Sequence, residues 1–328
     1  MLRRYFCALY IFCLHYLSEA FVLTSAMYQY KKTIRHAISD QGIAIHSGFS
    51  STLKLFPASS GMGICFRQSS DGVLYSIHPR YIEIENFHTV LRFSSTFCVK
   101  TVEHVLAACC GLGVTDIIIE ASEEEFPFFD GSALHFVHML QRAGLREFHE
   151  ESEYIVLKAP VHVSEGDSYI TLTPDIPYIQ VSVPLTDQYR EEANFSFLND
   201  DFYYNIAPAR TFSRFSDLEY LRSKGLIQGG GLECAVVLNE DGTAINPEGF
   251  RLPQECARHK ILDILGDLMI LGVPCIASIH SHAPGHSRTL KAVHCIAKDA
   301  DIYCRMQYSD LKKYIERKSE KPILKYAS

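Results

Sequence analysis

The sequence predicts an α+β protein built from two similar halves. Short alternating strands are interleaved with a few helices, which is typical of this class. At 328 residues with 47% apolar side chains, the chain is long enough for about two domains. An order of strands, a histidine-bearing helix that ends at Leu-Gly, and a further strand occurs twice. Two such halves facing each other would bring their histidine-bearing helices together.

Charge and cysteine content exclude some classes of function. The net charge is −7 and no sustained basic run is present, which argues against nucleic acid as the main partner. The eleven cysteines include no Cys-X-X-Cys pair and no regular framework. We therefore expect reduced thiols that pack as small apolar side chains, as in a cytoplasmic protein.

The first 26 residues suggest a different compartment. Arg3-Arg4, an apolar run and then Ser18-Glu19-Ala20 have the outline of a secretory signal peptide. The run is too short to span a bilayer as a helix, so we expect no stable membrane insertion. Translation that begins at Met27 would also explain the segment. An organelle-targeting extension is a third interpretation, which the arginines permit but the low serine content does not favour. In each case residues 1–26 stay outside the fold, and export or organelle import remains the alternative to the cytoplasm.

The first domain is predicted over residues 27–150. Alternation and turn-forming glycines indicate strands over Thr33–Ile38, Ser51–Phe56, Gly63–Arg67, Val73–Ile77, Tyr81–Ile84 and Asp116–Ala121. A helix is predicted over Val102–Leu112, with Thr101 as its N-cap, and a second over Ser132–Ala143. In Asp130-Gly131-Ser132 we predict a turn and an N-cap rather than a catalytic site. The polar, acidic stretch Arg146–Tyr154 predicts the domain boundary.

The second domain is predicted over residues 151–328. Strands are indicated over Tyr154–Val163, Tyr169–Thr173, Ile179–Val183, Glu233–Leu238 and Cys275–His280. Helices are indicated over Asp217–Lys224, Pro253–Leu271, Thr289–Lys298 and Tyr303–Lys318, the last two closing the chain.

The Pro253–Leu271 helix carries the first candidate site. It is apolar on nearly every side, which is typical of a buried helix, yet His259, Asp263 and Asp267 are spaced four residues apart on one face. An unpaired buried charge costs several kcal/mol. A divalent metal held by His259 and Asp263, with Asp267 behind them, would offset that cost. A hydrogen-bonded His–Asp pair would offset it too, and the helix alone does not decide between them.

A third metal ligand is predicted on the other histidine-bearing helix. His104 alone would be read as a core histidine, but Glu103 directly precedes it. A carboxylate beside an imidazole recurs where a metal ligand adjoins a general base. Two histidines and an aspartate with an open fourth position form a catalytic rather than a structural zinc set.

Several collinear motifs resemble one enzyme family, the UDP-3-O-acyl-N-acetylglucosamine deacetylases. The resemblance runs from about Tyr28 to about Ala300. Its motifs are Thr101-Val102-Glu103-His104, Gly111-Leu112-Gly113, Phe126 to Ala133, Ala209-Arg210-Thr211-Phe212, Gly229-Gly230-Gly231, His259 to Asp267, and Gly285-His286. This family contains the zinc enzymes of the committed step of lipid A synthesis, which hydrolyse the N-acetyl group of UDP-3-O-acyl-N-acetylglucosamine.

The resemblance implies a fold and a set of roles. Each of two α+β domains would be a sheet layered with helices, with the active site between the domains. Zn²⁺ would be bound by His104, His259 and Asp263. The remaining roles are a general base, Glu103; an oxyanion-stabilising hydroxyl, Thr211; a general acid or electrostatic partner, His286, oriented by Asp267; and substrate contacts, Lys260 and Phe212. The segment near 213–231 would wall a passage for the acyl chain.

The implied partners are the UDP-sugar and water, and we expect a monomer. Two rival functions follow from the residues. One is a zinc amidohydrolase acting on another acylated amine, and the other is a zinc-stabilised binding protein. A purely structural zinc site has no use for Glu103, Thr211 and His286, which weighs against the second rival.

Overall fold

The structure, a computed structural model, describes residues 27–85 and 87–319. The predictions made for residues 1–26 lie outside this part. Within it the strands are β1 Tyr30–Ile34, β2 Ile38–Ile43, β3 Ser50–Pro57, β4 Ile64–Arg67, β5 Leu74–Ser76, β6 Ile82–Glu83, β7 Val90–Arg92, β8 Cys98–Lys100, β9 Ile117–Ala121, β10 Leu145–Glu151, β11 Glu153–Leu157, β12 Val161–Glu165, β13 Ser168–Thr173, β14 Tyr178–Pro184, β15 Arg190–Phe195, β16 Phe212–Arg214, β17 Val236–Leu238, β18 Cys275–Ile276, β19 Ser278–His282 and β20 Tyr303–Gln307.

The helices lie between these strands in the chain. The α-helices of the described residues are α1 Glu103–Leu112, α2 Leu134–Arg142, α3 Phe202–Asn205, α4 Leu218–Ser223, α5 Glu255–Leu268, α6 His286–Lys298 and α7 Tyr308–Ser319. Short 3-10 helices occur at Pro79–Tyr81, Phe215–Asp217, Met269–Leu271 and Ala300–Ile302.

Two five-stranded sheets share one topology. The first has the strand order β2-β3-β9-β4-β5 and the second β12-β13-β19-β14-β15. In each sheet the first two strands form a hairpin, as do the last two. The central strand is antiparallel to one neighbour and parallel to the other. The central strands β9 and β19 follow α1 and α5, the two histidine-bearing helices. The predicted α+β fold with two similar halves is confirmed.

Several predicted elements have other bounds. The single strand predicted over Thr33–Ile38 is two strands, because the chain turns between Ile34 and Ile38. Most of the polar stretch Arg146–Tyr154 forms β10, which pairs with β1. The helix predicted over Tyr303–Lys318 begins as β20, an edge strand that pairs with β11, and only α7 is helical. Strands with polar residues on both faces do not show the alternation on which the predictions depended.

The two histidine-bearing helices cross in the centre of the molecule. Helix α1 is buried over Glu103–Gly111, and α5 is buried at every position except Arg258 and Lys260. They are in close contact at Gly266, where an added Cβ would overlap the carbonyl oxygen of Glu103. The absence of a side chain at Gly266 therefore sets the distance between the two helices that carry the candidate site.

We expect Gly266→Ala to destabilise the fold by about 3 kcal/mol or more, because the obstacle is a peptide group within another helix. Gly111→Ala is the matched comparison. Its Cβ would meet the ring of Phe202, a side chain rather than a peptide group, and we expect a smaller loss. Urea titration of both variants measures the difference. Equal losses would contradict the importance of the helix crossing.

The cysteines of the described chain behave as expected. All nine are free, and seven of them are buried. Among the same residues, no helix has the length and apolar character needed to cross a bilayer.

Candidate active site

Helix α5 delivers three polar side chains into the interior. His259, Asp263 and Asp267 are 1%, 4% and 0% exposed, and they lie on the helix face towards α1. The spacing of four residues stacks them along this face, as the sequence predicted. His104 and Glu103, both 2% exposed, face them from the first turn of α1. The predicted meeting of the two histidine-bearing helices is therefore observed.

His104, His259 and Asp263 form a group that fits a metal ion. One ligand atom from each lies within 4.8 Å of the others. Asp263 Oδ1 is 3.2 Å from His259 Nε2 and 3.9 Å from His104 Nε2. It is buried without a hydrogen-bond partner among the described residues, as is His104 Nδ1. A cation between the three side chains would satisfy the orphaned carboxylate oxygen.

The protonation of His104 and Asp263 also suits a metal. Burial, reinforced by the neighbouring His259, lowers the pKa of His104 to about 3, so its imidazole is neutral at pH 7. Burial opposes ionisation of Asp263, but His259 and Lys260 outweigh it and hold the pKa of this carboxyl well below its ordinary value. Neutral imidazoles and an ionised carboxylate are the forms that bind metals.

His259 is oriented by a backbone group. Its Nδ1 donates to the carbonyl oxygen of Ala209 at 2.9 Å, which leaves Nε2 facing Asp263. A hydrogen bond to the second ring nitrogen fixes the tautomer and the ring plane of a ligand histidine. The carbonyl belongs to the segment that carries Thr211, two residues further on.

Glu103 has the surroundings of a general base. Burial, with Asp267 and Asp263 nearby, raises the pKa of its carboxyl to about 7, although His286 opposes the shift. Glu103 Oε2 accepts a hydrogen bond from the backbone N–H of Thr89 at 3.1 Å. Glu103 Oε1 lies 3.8 Å from His286 Nε2. A base with a pKa near neutrality serves proton transfer at physiological pH.

His286, the first residue of α6, has the opposite character. Burial alone would lower the pKa of its imidazole, but Asp267, Asp263 and Glu103 outweigh it and raise that pKa to about 9. Its Nδ1 donates to Asp267 Oδ2 at 2.9 Å. The imidazole is therefore protonated at pH 7 and its Nε2 faces Glu103. The candidate base, Glu103, and the candidate acid, His286, thus lie on two different helices, α1 and α6.

Sequence reasoning missed Thr89. Its hydroxyl donates to Asp267 Oδ1 at 2.5 Å, and its backbone N–H donates to Glu103. One residue thereby fixes both the candidate base and the carboxylate behind the candidate acid. Thr89 is fully buried in the turn before β7. The sequence shows only a threonine beside His88. Its pattern does not distinguish Thr89 from an ordinary strand residue.

The predicted N-cap at Thr101 is wrong. Thr101 has a left-handed backbone with φ of 59°, and its Oγ1 is buried without a partner among the described residues. Helix α1 begins after Val102 with no side-chain cap. A β-branched residue in this region is strained, and such strain is concentrated at functional sites. The turn it makes directs Glu103 and His104 into the site.

These groups open into a cavity of about 710 Å³. Thr211, Phe212 and Lys260 line it, with the metal group and His286 at one end. Lys260 Nζ lies 5.4 Å from the centre of the Phe212 ring and 2.8 Å from Asp263 Oδ2. Asp267 stays behind His286 and is absent from the wall, as its predicted orienting role requires. All nine predicted site residues therefore come together.

The segment near 213–231 forms one wall of this cavity. Its contribution is largely apolar and includes the side chains of Phe215, Leu218, Tyr220, Leu221 and Ile227. Phe215 and Tyr220 are 64% and 58% exposed although they are large and apolar. An apolar groove that leads away from a polar, charged end matches a ligand with a long hydrocarbon tail.

A buried group that fits a metal ion, a candidate base, a candidate acid and an apolar groove are together typical of metal-dependent hydrolases. The family model for UDP-3-O-acyl N-acetylglycosamine deacetylase (LpxC) matches residues 31–298. The chain belongs to this family, and it is accordingly a deacetylase that hydrolyses an amide bond.

Curated relatives agree with the family match. The chain is 38% identical to the UDP-3-O-acyl-N-acetylglucosamine deacetylase of Syntrophus aciditrophicus, over 78% of this chain and 82% of that protein. The proteins of the same name from Chromobacterium violaceum and Campylobacter hominis are both 33% identical. Those matches cover 78% and 83% of this chain, and 86% and 92% of the respective relatives.

Proposed function

We propose that the chain removes the N-acetyl group of UDP-3-O-acyl-N-acetylglucosamine with Zn²⁺ as its cofactor, giving acetate and UDP-3-O-acyl-glucosamine. Deacetylation in lipid A biosynthesis is the activity of the family. The single observation that carries the zinc proposal is the buried group His104, His259 and Asp263, with its orphaned carboxylate oxygen. The family match leaves the rival binding protein without support.

His104, His259 and Asp263 would hold the zinc, with one position open for the reaction. The ion would supply Lewis acidity, which lowers the pKa of water and polarises the acetyl carbonyl. The Ala209 carbonyl keeps His259 in the ligating tautomer. Asp267 and Thr89 are not among the metal ligands. Asp267 orients the acid, His286, and the Thr89 N–H orients the base, Glu103.

Glu103 acts as the general base. Its carboxylate removes a proton from the attacking water, and its pKa near 7 lets it hold that proton through the next step. Burial excludes bulk water, so the proton stays within the site. The hydrogen bond from the Thr89 N–H holds the carboxylate in place.

His286 acts as the acid and as a positive charge beside the reacting carbonyl. Its raised pKa keeps it protonated, and Asp267 holds the ring through Nδ1 so that Nε2 carries the mobile proton. Transfer to the departing amine makes the sugar nitrogen a leaving group. The Thr211 hydroxyl, on the cavity wall, donates to the oxyanion.

Substrate contacts follow from the cavity lining. Lys260 and Phe212 contact the sugar end of the substrate, and the wall near 213–231 encloses the acyl chain.

We also propose a domain boundary near residue 150, a monomer, and a cytoplasmic location, the last supported by the free thiols. Purified protein incubated with the UDP-sugar and assayed for acetate tests the reaction, and zinc content measured in the same sample tests the cofactor. No acetate from a zinc-loaded sample would refute the proposal.

We expect Asp267→Ala to shift the alkaline limb of kcat/KM to lower pH and to reduce activity moderately. Asp267 raises the pKa of His286, so its removal lowers that pKa and the imidazolium is lost earlier as pH rises. The measurement is kcat/KM against pH at constant zinc loading. A limb that stays in place would show that the carboxylate does not tune His286.

A further inference from the structure

Arg210 is the largest fully buried side chain of the described residues, at 0% exposure. Its guanidinium makes hydrogen bonds to both oxygens of Glu255, to Glu248 and to the carbonyl oxygen of Gly249. Its backbone N–H also donates to Glu255, at 3.0 Å. Glu255 is itself 0% exposed. Burying both charges carries a large desolvation cost, so a contribution to stability does not by itself explain why the ion pair is present.

The position of the pair in the chain supplies that reason. Arg210 lies between Ala209, whose carbonyl orients His259, and Thr211, which lines the cavity. Glu255 is the first residue of α5, one turn before His259. The ion pair therefore joins the segment that carries the oxyanion donor to the helix that carries two metal ligands.

The pair belongs to a closed ring of hydrogen bonds. The backbone N–H of Arg251 donates to Glu255 Oε2, and its side chain binds Asp130. The ring closes beside Asp130, where the carbonyl oxygen of Gly131 accepts the backbone N–H of Thr211 at 2.8 Å. Gly131 has a φ of 74°, and an added Cβ would overlap the carbonyl oxygen of Cys234, so the turn accepts no other residue.

We propose that this ring, formed by Asp130, Arg251, Glu255 and Arg210, positions Thr211 and the Ala209 carbonyl against the metal helix. The inference rests on the proposed roles of Thr211 and His259. The four ring residues touch neither substrate nor metal and act through these two neighbours. Asp130-Gly131-Ser132 was predicted as a turn and an N-cap, but the N-cap of α2 is Ala133, with no side-chain cap. The turn takes part in the ring instead, because Asp130 Oδ1 accepts from Ser132 while the other oxygen binds Arg251.

The guanidinium is required by the geometry of the ring. Arg210 directs parallel N–H groups at the two oxygens of one carboxylate and further N–H groups at two other acceptors. Lysine carries the same charge on a single nitrogen and reproduces only part of this set. Arg210→Lys therefore removes the positional restraint while it keeps a cation beside Glu255.

The first test is a double-mutant cycle between Arg210→Lys and Thr211→Ala, with kcat and KM measured separately at saturating zinc. Thr211 acts on the transition state, so we expect Arg210→Lys to lower kcat about tenfold with KM nearly unchanged. If Arg210 acts through Thr211, its effect disappears in the Thr211→Ala background. Full additivity in the cycle, or an unchanged kcat in Arg210→Lys, would overturn the proposal.

The second test uses Arg251→Met, a change at a partly exposed residue that leaves the buried pair intact. The matched control is Arg305→Met, which removes an ion pair to Glu153. The two pairs have comparable side-chain exposures, 33% and 29% for Arg251 and Asp130 against 46% and 30% for Arg305 and Glu153. Zinc affinity is measured by chelator competition, without substrate.

We expect Arg251→Met to weaken zinc binding about tenfold, within the range found when a group that orients a metal ligand is lost. Arg305→Met should leave zinc affinity and kcat unchanged. Equal zinc affinities in the two variants would overturn the proposal. Failure of the proposed function looks different, because wild-type protein would then release no acetate, or Thr211→Ala alone would leave kcat unaffected.

Discussion

Replacing His259 or Asp263 with alanine should remove the metal and abolish turnover, while the chain still folds. Each variant deletes one of three ligands that lie within 4.8 Å of one another. Three protein ligands are the usual complement of a catalytic zinc, so two hold the ion poorly. The fold should lose stability, because each change leaves a cavity and an unpaired neighbour in a core helix. Zinc content, acetate release and circular dichroism of the purified variants measure the three effects.

A histidine outside the site provides the control for this prediction. His280 lies exposed on β19 and contacts Ser278, so His280→Ala should keep both zinc and activity. Stoichiometric zinc with normal activity in His259→Ala or Asp263→Ala would show that the ligand assignment is wrong.

Glu103→Ala should lower kcat by about 10²–10⁴-fold with zinc retained, which is the usual contribution of a positioned general base. Glu103→Gln keeps the size of the side chain and an oxygen for the Thr89 N–H, and it should lose nearly as much activity. The loss then follows from basicity rather than from packing. Glu120→Gln, at a glutamate that pairs with Lys54 and Arg67 on the first sheet, is the control and should keep its kcat.

The pH profile gives a second readout for Glu103. The carboxylate is active when deprotonated, so activity falls as pH drops below its pKa. Burial raises that pKa to about 7, and a bound cation lowers it from there, which places the acidic limb at or below about 7. The limb should vanish in both Glu103 variants. Its persistence, or full activity in Glu103→Ala, would end the assignment of the base.

The buried, periodic parts of the fold could be predicted from sequence. Helices α1 and α5 and the central strands carry apolar side chains at regular spacing, so their existence followed from the pattern. Strand β10 exposes polar residues on both faces, and its pairing with β1 depends on a partner more than 100 residues away in the chain. Local patterns hold no information about such a partner.

The same division applies to the site. His259, Asp263 and Asp267 were predictable because four-residue spacing on a buried helix fixes their common face. The duplication and the neighbouring Glu103 pointed to His104. Thr89 acts through one hydroxyl and one N–H whose targets lie on two other segments. Arg210 is polar, so its complete burial contradicts the usual place of arginine and became visible only in three dimensions.

The close contact of α1 and α5 at Gly266 limits how far these two helices can separate during turnover. Both helices are buried along most of their length, so we expect their separation to expose part of the core. We therefore expect no opening motion between the two sheets during turnover. We expect long-tailed ligands to enter and leave past the outer wall near 213–231, where Phe215 and Tyr220 are exposed. We expect the chemistry to take place on a rigid frame and the wall near 213–231 to set the rate of product release.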